Sequence, residues 1–310
     1  MARSPSGAEE ATAIVLSAHS TLAQRLEKAA KVPATLVLLS GPAAVMGKQW
    51  PLTEQRSIVG RAVGAEVEIP DPSVSKQHAA IATLYDAVGI VDLSSTNQTS
   101  VNGAVLKPGT MHQLRDHDQI KVGNVLLKFL APGNIEAVSA KEVFDLARTD
   151  PLTGVKNKGA LLTEAPRAVE RAQQLGAPLV VSIYDLDHFK AVNDTYGHDA
   201  GDKVLQQSAR LLGEQMGALD FLARFGGEEF VVLHSDATPA EVVERAEQVR
   251  RAIETAEFRH NGQVLRLTVS VGIAALGPVT PDWESLFQEA DRALYAAKHG
   301  GRNRVVVAGD

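Results

Sequence analysis

Several features that the 310-residue chain lacks narrow its chemistry and its surroundings. It contains no cysteine, which excludes disulfide bonds, thiolate nucleophiles and cysteine-ligated zinc sites. No apolar run approaches the roughly 18 residues of a membrane span. Glu9 and Glu10 precede the apolar residues 11–18, where a targeting segment would carry positive charge. We therefore expect a soluble cytoplasmic protein with no membrane partner.

Positive charge is in the minority. Lys and Arg number 31 against 37 Asp and Glu, which gives a formal net charge of −6. An anionic partner must then be met by a local basic patch or a metal, and we expect no nucleic-acid partner. Hydrophobic residues at 45% and charged residues at 22% are typical of a globular chain with full cores. At roughly 150 residues per domain, the length allows about two domains.

The first half of the chain has the pattern of a β protein. Residues 1–34 form a tail with loosely helical apolar spacing, which is either frayed or a docked helix. Short β-rich runs between turn-forming clusters then predict an all-β sandwich or barrel over residues 35–131. A helix at 135–148 follows, within a linker at 132–149. The predicted β runs lie at 35–39, 66–69, 89–93 and 119–130.

Helices and strands alternate through residues 150–310. This alternation predicts an α/β or α+β layered fold around a central sheet. The predicted helices lie near 158–175, 199–214, 239–256 and 283–298. The predicted strands lie near 179–185, 220–225, 229–234, 267–275 and 304–307.

Two acidic clusters follow predicted strands of this second half. The apolar run 179–184 leads into Asp185 and Asp187, and a Gly-Gly hairpin tip is followed by Glu228 and Glu229. Glycines allow a tight turn and a close approach of a ligand to the backbone. Carboxylates of the two clusters that face each other would suit magnesium carrying phosphates. Taken alone, such a hairpin with acidic neighbours is usually only a solvated turn.

Five motifs occur in order between residues 140 and 308. They are Asp150-Pro151-Leu152-Thr153-Gly154, Asp185-Leu186-Asp187-His188-Phe189-Lys190, Gly197-His198-Asp199-Ala200-Gly201-Asp202, Gly226-Gly227-Glu228-Glu229-Phe230 and Lys298-His299-Gly300-Gly301-Arg302-Asn303. Their order and spacing resemble those of the GGDEF diguanylate cyclase domain. The resemblance implies a palm-like nucleotide cyclase fold that condenses two GTP molecules into cyclic di-GMP and releases pyrophosphate.

The resemblance also implies roles for individual residues. Mg²⁺, two ions per GTP half-site with Mn²⁺ as an alternative, would be bound by Asp185, the Leu186 carbonyl and Glu228. Glu228 and Glu229 would be the catalytic carboxylates. Because each domain holds one GTP, the active state would be a homodimer. The implied GTP-binding residues, of which the second and third would contact the guanine edge, are Lys190, Asn193, Asp202, Gly226, Gly227, Lys298 and Arg302.

Each of these residues also has a purely structural alternative. Asn193 can cap or turn the chain, and Asp202 can cap its helix. Lys298 and Arg302 can favour the carboxyl end of a helix. Arg224 can pair with a carboxylate rather than contact GTP.

The chain departs from the family pattern at two places. The third signature position is Glu228 instead of Asp, which keeps a carboxylate on a side chain one methylene longer. The inhibitory product site of the family is an Arg-x-x-Asp before the signature loop, and here Gly217 replaces the Arg while Asp220 is retained. Without the bidentate guanidinium we expect this product-inhibition site to be degenerate.

Three further motifs lie within the predicted β domain. They are Ser57-Ile58-Val59-Gly60-Arg61, Asp71-Pro72-Ser73-Val74-Ser75-Lys76-Gln77-His78 and Asp92-Leu93-Ser94-Ser95-Thr96-Asn97-Gln98 extended to Gly103. They resemble the forkhead-associated (FHA) domain, a β-sandwich that binds phosphothreonine peptides. The resemblance implies that His78 and Asn102 brace the loops, whereas Gln98 stands where the family usually has Gly. The implied phosphopeptide-binding residues are Arg61, Ser75, Lys76, Thr96 and Asn97.

The two resemblances together indicate a diguanylate cyclase that is regulated by phosphothreonine sensing through the FHA domain. The phosphothreonine would lie in another protein or in the chain's own tail. The alternative is a phosphopeptide-binding scaffold whose GGDEF domain binds GTP or cyclic di-GMP but is inactive. A retained sandwich that serves only as a spacer also stays open.

Overall fold

A computed structural model describes residues 24–42, 45–84 and 87–309. It divides into two compact units, Met1–Asp145 and Leu146–Asp310. Within the described ranges, no helix is both long and apolar enough to cross a membrane. The two units are described separately below.

The N-terminal unit is built from two sheets. The six-stranded sheet has the order β2-β1-β11-β10-β7-β8 and the five-stranded sheet has the order β4-β3-β5-β6-β9. Apolar side chains of both sheets form one core, which confirms the predicted all-β sandwich. The strands are β1 (Thr35–Ser40), β2 (Gln49–Pro51), β3 (Arg56–Gly60), β4 (Val67–Glu68), β5 (Ala79–Leu84), β6 (Ala87–Asp92), β7 (Thr99–Val101), β8 (Ala104–Val105), β9 (His112–Gln113), β10 (Gln119–Val122) and β11 (Val125–Leu130).

The flanks of the sandwich differ in detail from the sequence-based expectation. The run 119–130 is two antiparallel strands, because Gly123 adopts a positive φ of 59° and turns the chain. Helix α1 (Ile135–Arg148) has the predicted bounds; Ala137 and Val138 of this helix are buried, whereas Ala147 is exposed. Residues 24–29 of the tail are helical, whereas its earlier apolar positions lie outside the described residues.

The C-terminal unit has a mixed six-stranded sheet of order β12-β14-β15-β13-β18-β19 and a separate hairpin, β16-β17. The strands are β12 (Lys156–Asn157), β13 (Leu179–Leu186), β14 (Phe221–Arg224), β15 (Glu229–Ser235), β16 (Phe258–His260), β17 (Gln263–Leu265), β18 (Val269–Ala275) and β19 (Val305–Val307). The helices are α2 (Lys158–Leu175), α3 (Phe189–Tyr196), α4 (His198–Gly213), α5 (Pro239–Thr255) and α6 (Trp283–His299).

Strand β13 lies in the middle of this sheet and is buried along its whole length. Val180 and Tyr184 pack into the core that α4 and α5 cover, whereas Val181 and Ile183 pack into the core that α2 and α6 cover. Because side chains alternate along a strand, helices on both faces require apolar residues at nearly every position. This arrangement confirms the predicted α/β fold class.

Local sequence signals place the helix ends. Asn157 accepts a hydrogen bond from the Ala160 amide at the start of α2, and α5 begins with a capping box between Thr238 and Glu241. The four predicted helices therefore begin and end within one residue of the expected bounds. Helix α3, strand β12 and the β16-β17 hairpin were not predicted, since short elements provide little periodicity.

Gly272 of β18 permits the close packing of α6 on the sheet. A Cβ atom at this position would lie 2.2 Å from both the Ala290 carbonyl oxygen and the Leu294 amide nitrogen. Those two atoms belong to the helix backbone, so they cannot move away as a flexible side chain can.

We predict that Gly272→Ala destabilises the C-terminal unit by roughly 1–3 kcal/mol or more, because α6 must shift away from the sheet. Gly213→Ala is the matched control, since a Cβ at this last residue of α4 meets no atom within 4 Å. The control is expected to be neutral or to stabilise by up to about 1 kcal/mol. Urea unfolding of the two variants and the wild type measures the difference, and equal midpoints would contradict this packing argument.

Candidate functional site

Two neighbouring strands bring the predicted carboxylates together. Near the end of β13, Asp185 is the ladder partner of Glu229, the first residue of β15. The Leu186 amide donates to the Glu228 carbonyl over 3.4 Å, so the hairpin tip lies beside the end of β13. The antiparallel pairing of a buried strand with a glycine-rich hairpin therefore produces one acidic edge.

A cavity of about 200 Å³ opens at this edge. Phosphate-binding and metal-binding candidates from three separate motifs share its wall, although they are far apart in sequence. The predicted site residues that line it are Asp185, Leu186, Lys190, Glu228, Lys298 and Arg302. The structure thus brings together six residues that sequence analysis assigned to one site.

The charges in this cluster compensate one another. The Lys298 ammonium lies 2.7 Å from Asp185 Oδ2, whose side chain is only 10% exposed. Burial raises the pKa of Asp185, although the hydrogen bond and charge of Lys298 oppose the rise. Burial and the negative charge of Asp185 likewise raise the pKa of the half-buried Glu229. The cluster therefore favours any additional positive charge.

The donor set fits a magnesium ion that arrives with a nucleotide. Among the described residues, no three acidic or histidine side chains form a self-sufficient metal site. Asp185, Glu228 and the Leu186 carbonyl provide hard oxygen donors around the same cavity. Mg²⁺ is commonly held by one or two carboxylates together with substrate phosphates, so this incomplete set is suitable.

Asp187 has a different role from Asp185, although the sequence placed both at the end of one strand. Its Oδ2 accepts from the Thr268 hydroxyl at 2.6 Å and the Asn303 amide at 3.1 Å, and its Oδ1 accepts from the Ser270 hydroxyl at 2.7 Å. These bonds tie the end of β13 to β18 and to the loop after α6. Asp187 therefore lines the cavity as well, but its carboxylate is occupied as a brace.

Arg224 holds the tip of the glycine hairpin. Its Nη2 donates to the Gly227 carbonyl at 2.7 Å and its Nε to the Gly226 carbonyl at 3.2 Å, while Nη1 donates to Asp150 Oδ1 at 3.2 Å. Burial alone would raise the pKa of Asp150, but hydrogen bonds from Thr153 and Arg224 hold it below its usual value. The alternative that Arg224 pairs with a carboxylate is confirmed, and the sequence had given no role to Asp150.

The two predicted guanine-contacting residues lie on consecutive helices. Asn193 is on α3 and Asp202 is on α4, and the chain turns between them at Gly197 with φ of 84°. A Cβ at Gly201 would lie 2.0 Å from Asn193 Oδ1. The Asn193 amide thus occupies the space above Gly201, the residue that precedes Asp202. Neither residue lines the acidic cavity.

The predicted phosphopeptide residues lie on adjoining loops of the sandwich. The Arg61 amide donates to the Ser75 carbonyl at 3.0 Å, and the Thr96 amide donates to Ser75 Oγ at 3.1 Å. Asn97 Nδ2 donates to the Ser73 carbonyl at 2.8 Å. The Arg61 and Lys76 side chains are exposed, as ligand-binding groups must be.

His78 and Asn102 brace these loops, as predicted. His78 Nδ1 accepts from the Ser75 amide at 3.1 Å, so its Nε2 carries the proton and donates to the Gln98 carbonyl at 3.0 Å. Burial lowers the pKa of His78, which favours this neutral ring. Asn102 Nδ2 donates a hydrogen bond to Asp118 Oδ1, and Asn102 Oδ1 accepts one from the Gln119 amide. Gln98 has φ of 59°, the left-handed conformation expected where the family usually has Gly.

Comparison with known protein families agrees with both halves of the structure. The sequence model of the diguanylate cyclase GGDEF domain matches residues 147–304, about half of the chain. The FHA domain model matches residues 57–123. The first match contains every residue of the acidic cavity, and the second contains the loops around Ser75.

Characterised relatives show the same correspondence. The chain is 43% identical over 162 residues to the diguanylate cyclase DgcP of Pseudomonas aeruginosa, covering 52% of this chain and 24% of DgcP. It is 34% identical over 223 residues to the diguanylate cyclase DosC of Escherichia coli, covering 72% of this chain and 46% of DosC. The chain thus spans less than half the length of either relative.

A solved structure supports the same relationship. The GGDEF domain of DgcB from Caulobacter crescentus, crystallised in complex with c-di-GMP, is 35% identical with a TM-score of 0.51. The match covers 53% of this chain and 97% of that one. From the family match, the sheet order and the acidic hairpin edge, we conclude that the chain belongs to the GGDEF diguanylate cyclase family and carries an FHA domain before its GGDEF domain.

Proposed function

We propose that the protein is a diguanylate cyclase that condenses two GTP molecules into cyclic di-GMP and pyrophosphate. The observation that carries the proposal is the single cavity in which Asp185 and Glu228 lie together with Lys190, Lys298 and Arg302. Two carboxylates beside three cations suit a triphosphate with its divalent ion. The relatives named as diguanylate cyclases support the same reaction.

The phosphates of GTP would be held by the cationic side chains. Lys190, Lys298 and Arg302 surround the cavity from α3, from α6 and from the loop after α6. Lys298 must then exchange its contact with Asp185 for phosphate oxygens. The backbone of Gly226 and Gly227, which carries no side chains, would allow the nucleotide to approach the hairpin closely.

The base would be recognised on the α3–α4 side. Asn193 provides an amide and Asp202 a carboxylate, which together can pair with the donors and acceptor of a guanine edge. Adenine would leave these groups incorrectly paired, and unpaired buried polar groups are strongly penalised. The space above Gly201 allows Asn193 to reach this position.

Mg²⁺, when bound, would neutralise charge on the α-phosphate and lower the pKa of an attacking hydroxyl. Asp185, the Leu186 carbonyl and Glu228 would hold it. On the hairpin, we propose that Glu228 orients the 3′-hydroxyl and helps to remove its proton, with Glu229 as the second catalytic carboxylate. Because each domain would hold one GTP, the active form would be a homodimer with two facing half-sites.

The FHA domain would make this activity respond to phosphothreonine. The exposed Arg61 side chain, the Ser75 hydroxyl and the Asn97 amide lie on adjoining loops and are the kinds of donor with which proteins bind phosphate on peptides. A phosphopeptide could bring two chains together and thereby raise the effective concentration of half-sites. The phosphothreonine would lie in another protein or in the tail, whose Thr12 and Thr21 lie outside the described residues.

The proposed organisation along the chain follows from these roles. A tail over residues 1–34 precedes the FHA domain at 35–131, and the linker at 132–149 leads into the GGDEF domain at 150–310. Helix α1 occupies most of this linker.

One contact favours the second candidate, a phosphopeptide-binding scaffold with an inactive GGDEF domain. The ion pair between Lys298 and Asp185 neutralises a carboxylate that the metal requires. If nucleotide does not displace Lys298, the domain would bind GTP or cyclic di-GMP without converting it.

We predict that the purified chain converts GTP to cyclic di-GMP in the presence of Mg²⁺, and that a chelator abolishes the reaction. Glu228→Gln keeps the size of the side chain but removes its charge, and it is expected to lower turnover by roughly 10²-fold or more. Glu244→Ala, at an exposed position of α5, is the control. Nucleotide chromatography checks the products; GTP binding with no product at any phosphopeptide concentration would favour the scaffold.

A second prediction concerns guanine recognition. Gly201→Ala places a methyl group 2.0 Å from Asn193 Oδ1 and displaces that amide. We expect GTP affinity to fall by about 10-fold or more, and preference over ATP to fall with it, since the lost contact is specific for the base. Fluorescent-nucleotide titration measures both affinities. Gly159→Ala, on α2, is the control, and a variant that keeps wild-type preference would contradict this role of Asn193.

A third prediction tests the sandwich. A phosphothreonine peptide is expected to bind the wild-type chain and to bind Arg61→Ala roughly 10–100-fold more weakly, because a charge-assisted phosphate contact is lost. Arg56→Ala, an exposed cation on β3, serves as control. Calorimetry with phosphorylated and unphosphorylated peptides gives the comparison. Equal binding of both peptides, or by both variants, would support the spacer alternative.

A further inference from the structure

A polar network crosses the core of the GGDEF domain, away from the acidic cavity. Ser182 of β13 lies with its Oγ 2.7 Å from His234 Nε2, and His234 Nδ1 lies 2.9 Å from Asp220 Oδ2. Asp220 Oδ2 also accepts from the Gly217 amide at 2.8 Å and from Arg245 Nη1 at 3.2 Å. The network therefore joins β13, β15, the turn before β14 and helix α5.

The proton positions follow from the partners. Burial alone would raise the pKa of Asp220, but the bonds from His234 and Gly217 and the charge of Arg245 hold it below its usual value. The ionised carboxylate can only accept, so His234 Nδ1 donates to it. In the neutral ring, Nε2 then accepts the Ser182 hydroxyl proton.

Burial excludes a catalytic role for this network, even though serine, histidine and aspartate occur in the order of a hydrolytic triad. Ser182 and His234 are completely buried, and the Asp220 side chain is 1% exposed. No substrate can reach the serine oxygen. Buried polar groups that are fully paired instead hold the elements around them in one arrangement.

Asp220 is also the retained acidic residue of the degenerate product-inhibition motif. It lies at the wall of a cavity of about 540 Å³, at the opposite end of β13 from Asp185. A ligand that binds Asp220 would have to enter this cavity. A ligand that enters this cavity meets a carboxylate whose Oδ2 already accepts from three protein donors. A Cβ at Gly217 would lie 2.9 Å from Arg245 Nη1. Arg245 therefore occupies the space into which an arginine side chain at position 217 would extend.

We propose that Asp220 is a brace residue of the protein and no longer a ligand-binding residue. Its network holds the turn before the GGEEF hairpin against β13, the strand that carries Asp185. In this chain, hydrogen bonds within the protein thus occupy the carboxylate with which the family motif would bind product. The proposal rests on the proposed function only for the choice of cyclic di-GMP as the ligand to test.

The test uses the full chain and the variant Asp220→Asn, which keeps the shape of the side chain and removes its charge. The internal role predicts that the unfolding temperature of the GGDEF domain falls by roughly 5 °C or more, because Arg245 loses its counter-charge and His234 loses its charged acceptor. It also predicts that cyclic di-GMP affinity, measured by calorimetry, stays within about twofold of wild type. Asp236→Asn is the control, since Asp236 lines the same cavity but is exposed.

The opposite result overturns the proposal. A loss of affinity of about tenfold or more in Asp220→Asn, with an unchanged unfolding temperature, would identify the carboxylate as a ligand-binding residue. Gly217→Arg provides a second measurement that does not depend on the stability of the first variant. The occupied Asp220 predicts no gain in cyclic di-GMP affinity, whereas a gain of about tenfold or more would show that the carboxylate is accessible. Neither measurement requires turnover of GTP. The cyclic di-GMP affinity and the unfolding temperature can therefore be measured even if the protein is catalytically inactive.

Discussion

Negative charge gathered at the end of a buried strand is the constraint on which the GGDEF domain depends. Asp185 is held at the sheet edge by pairing with β15 on one side and β18 on the other, so it cannot withdraw from its acidic neighbours. Its charge must be compensated locally, and Lys298 does so in the structure. A divalent ion carrying phosphates would compensate the same charge more completely. Binding of the nucleotide with its divalent ion would thus also compensate the negative charge of Asp185.

The same strand serves two polar systems of opposite kinds. Toward its carboxyl end, Asp185 faces a cavity in which partners can be exchanged. Three residues earlier, Ser182 belongs to a buried network in which Ser182, His234 and Asp220 are hydrogen-bonded to one another. Desolvation strengthens both systems, but only the one that lines an open cavity leaves room for chemistry. A buried serine, histidine and aspartate in series are therefore a structural element, whereas a carboxylate pair at the wall of a cavity is a site.

Apolar periodicity, caps and turn signals predicted the fold class and the long helices, because those features depend on local sequence. The residues of the acidic cavity were assigned mainly through the resemblance of five motifs to the GGDEF domain, with local signals at the apolar run before Asp185 and the glycine pair before Glu228. The pairing of Arg224 with Asp150 could not be derived in the same way, because the two residues are 74 positions apart. Asp185 and Asp187 looked equivalent in sequence. The structure distinguishes them, because Asp187 accepts hydrogen bonds from the hydroxyls of Thr268, just before β18, and Ser270, within it. His234 carried no signal, since a lone histidine in an apolar strand has no local partner.

The attachment of Asp150 to the hairpin has a mechanical consequence. Asp150 lies at the very beginning of the GGDEF domain, and a single guanidinium connects it to the carbonyls of Gly226 and Gly227. A displacement of Asp150 would therefore act on the glycine tip directly through this side chain, without passing through the hydrophobic core.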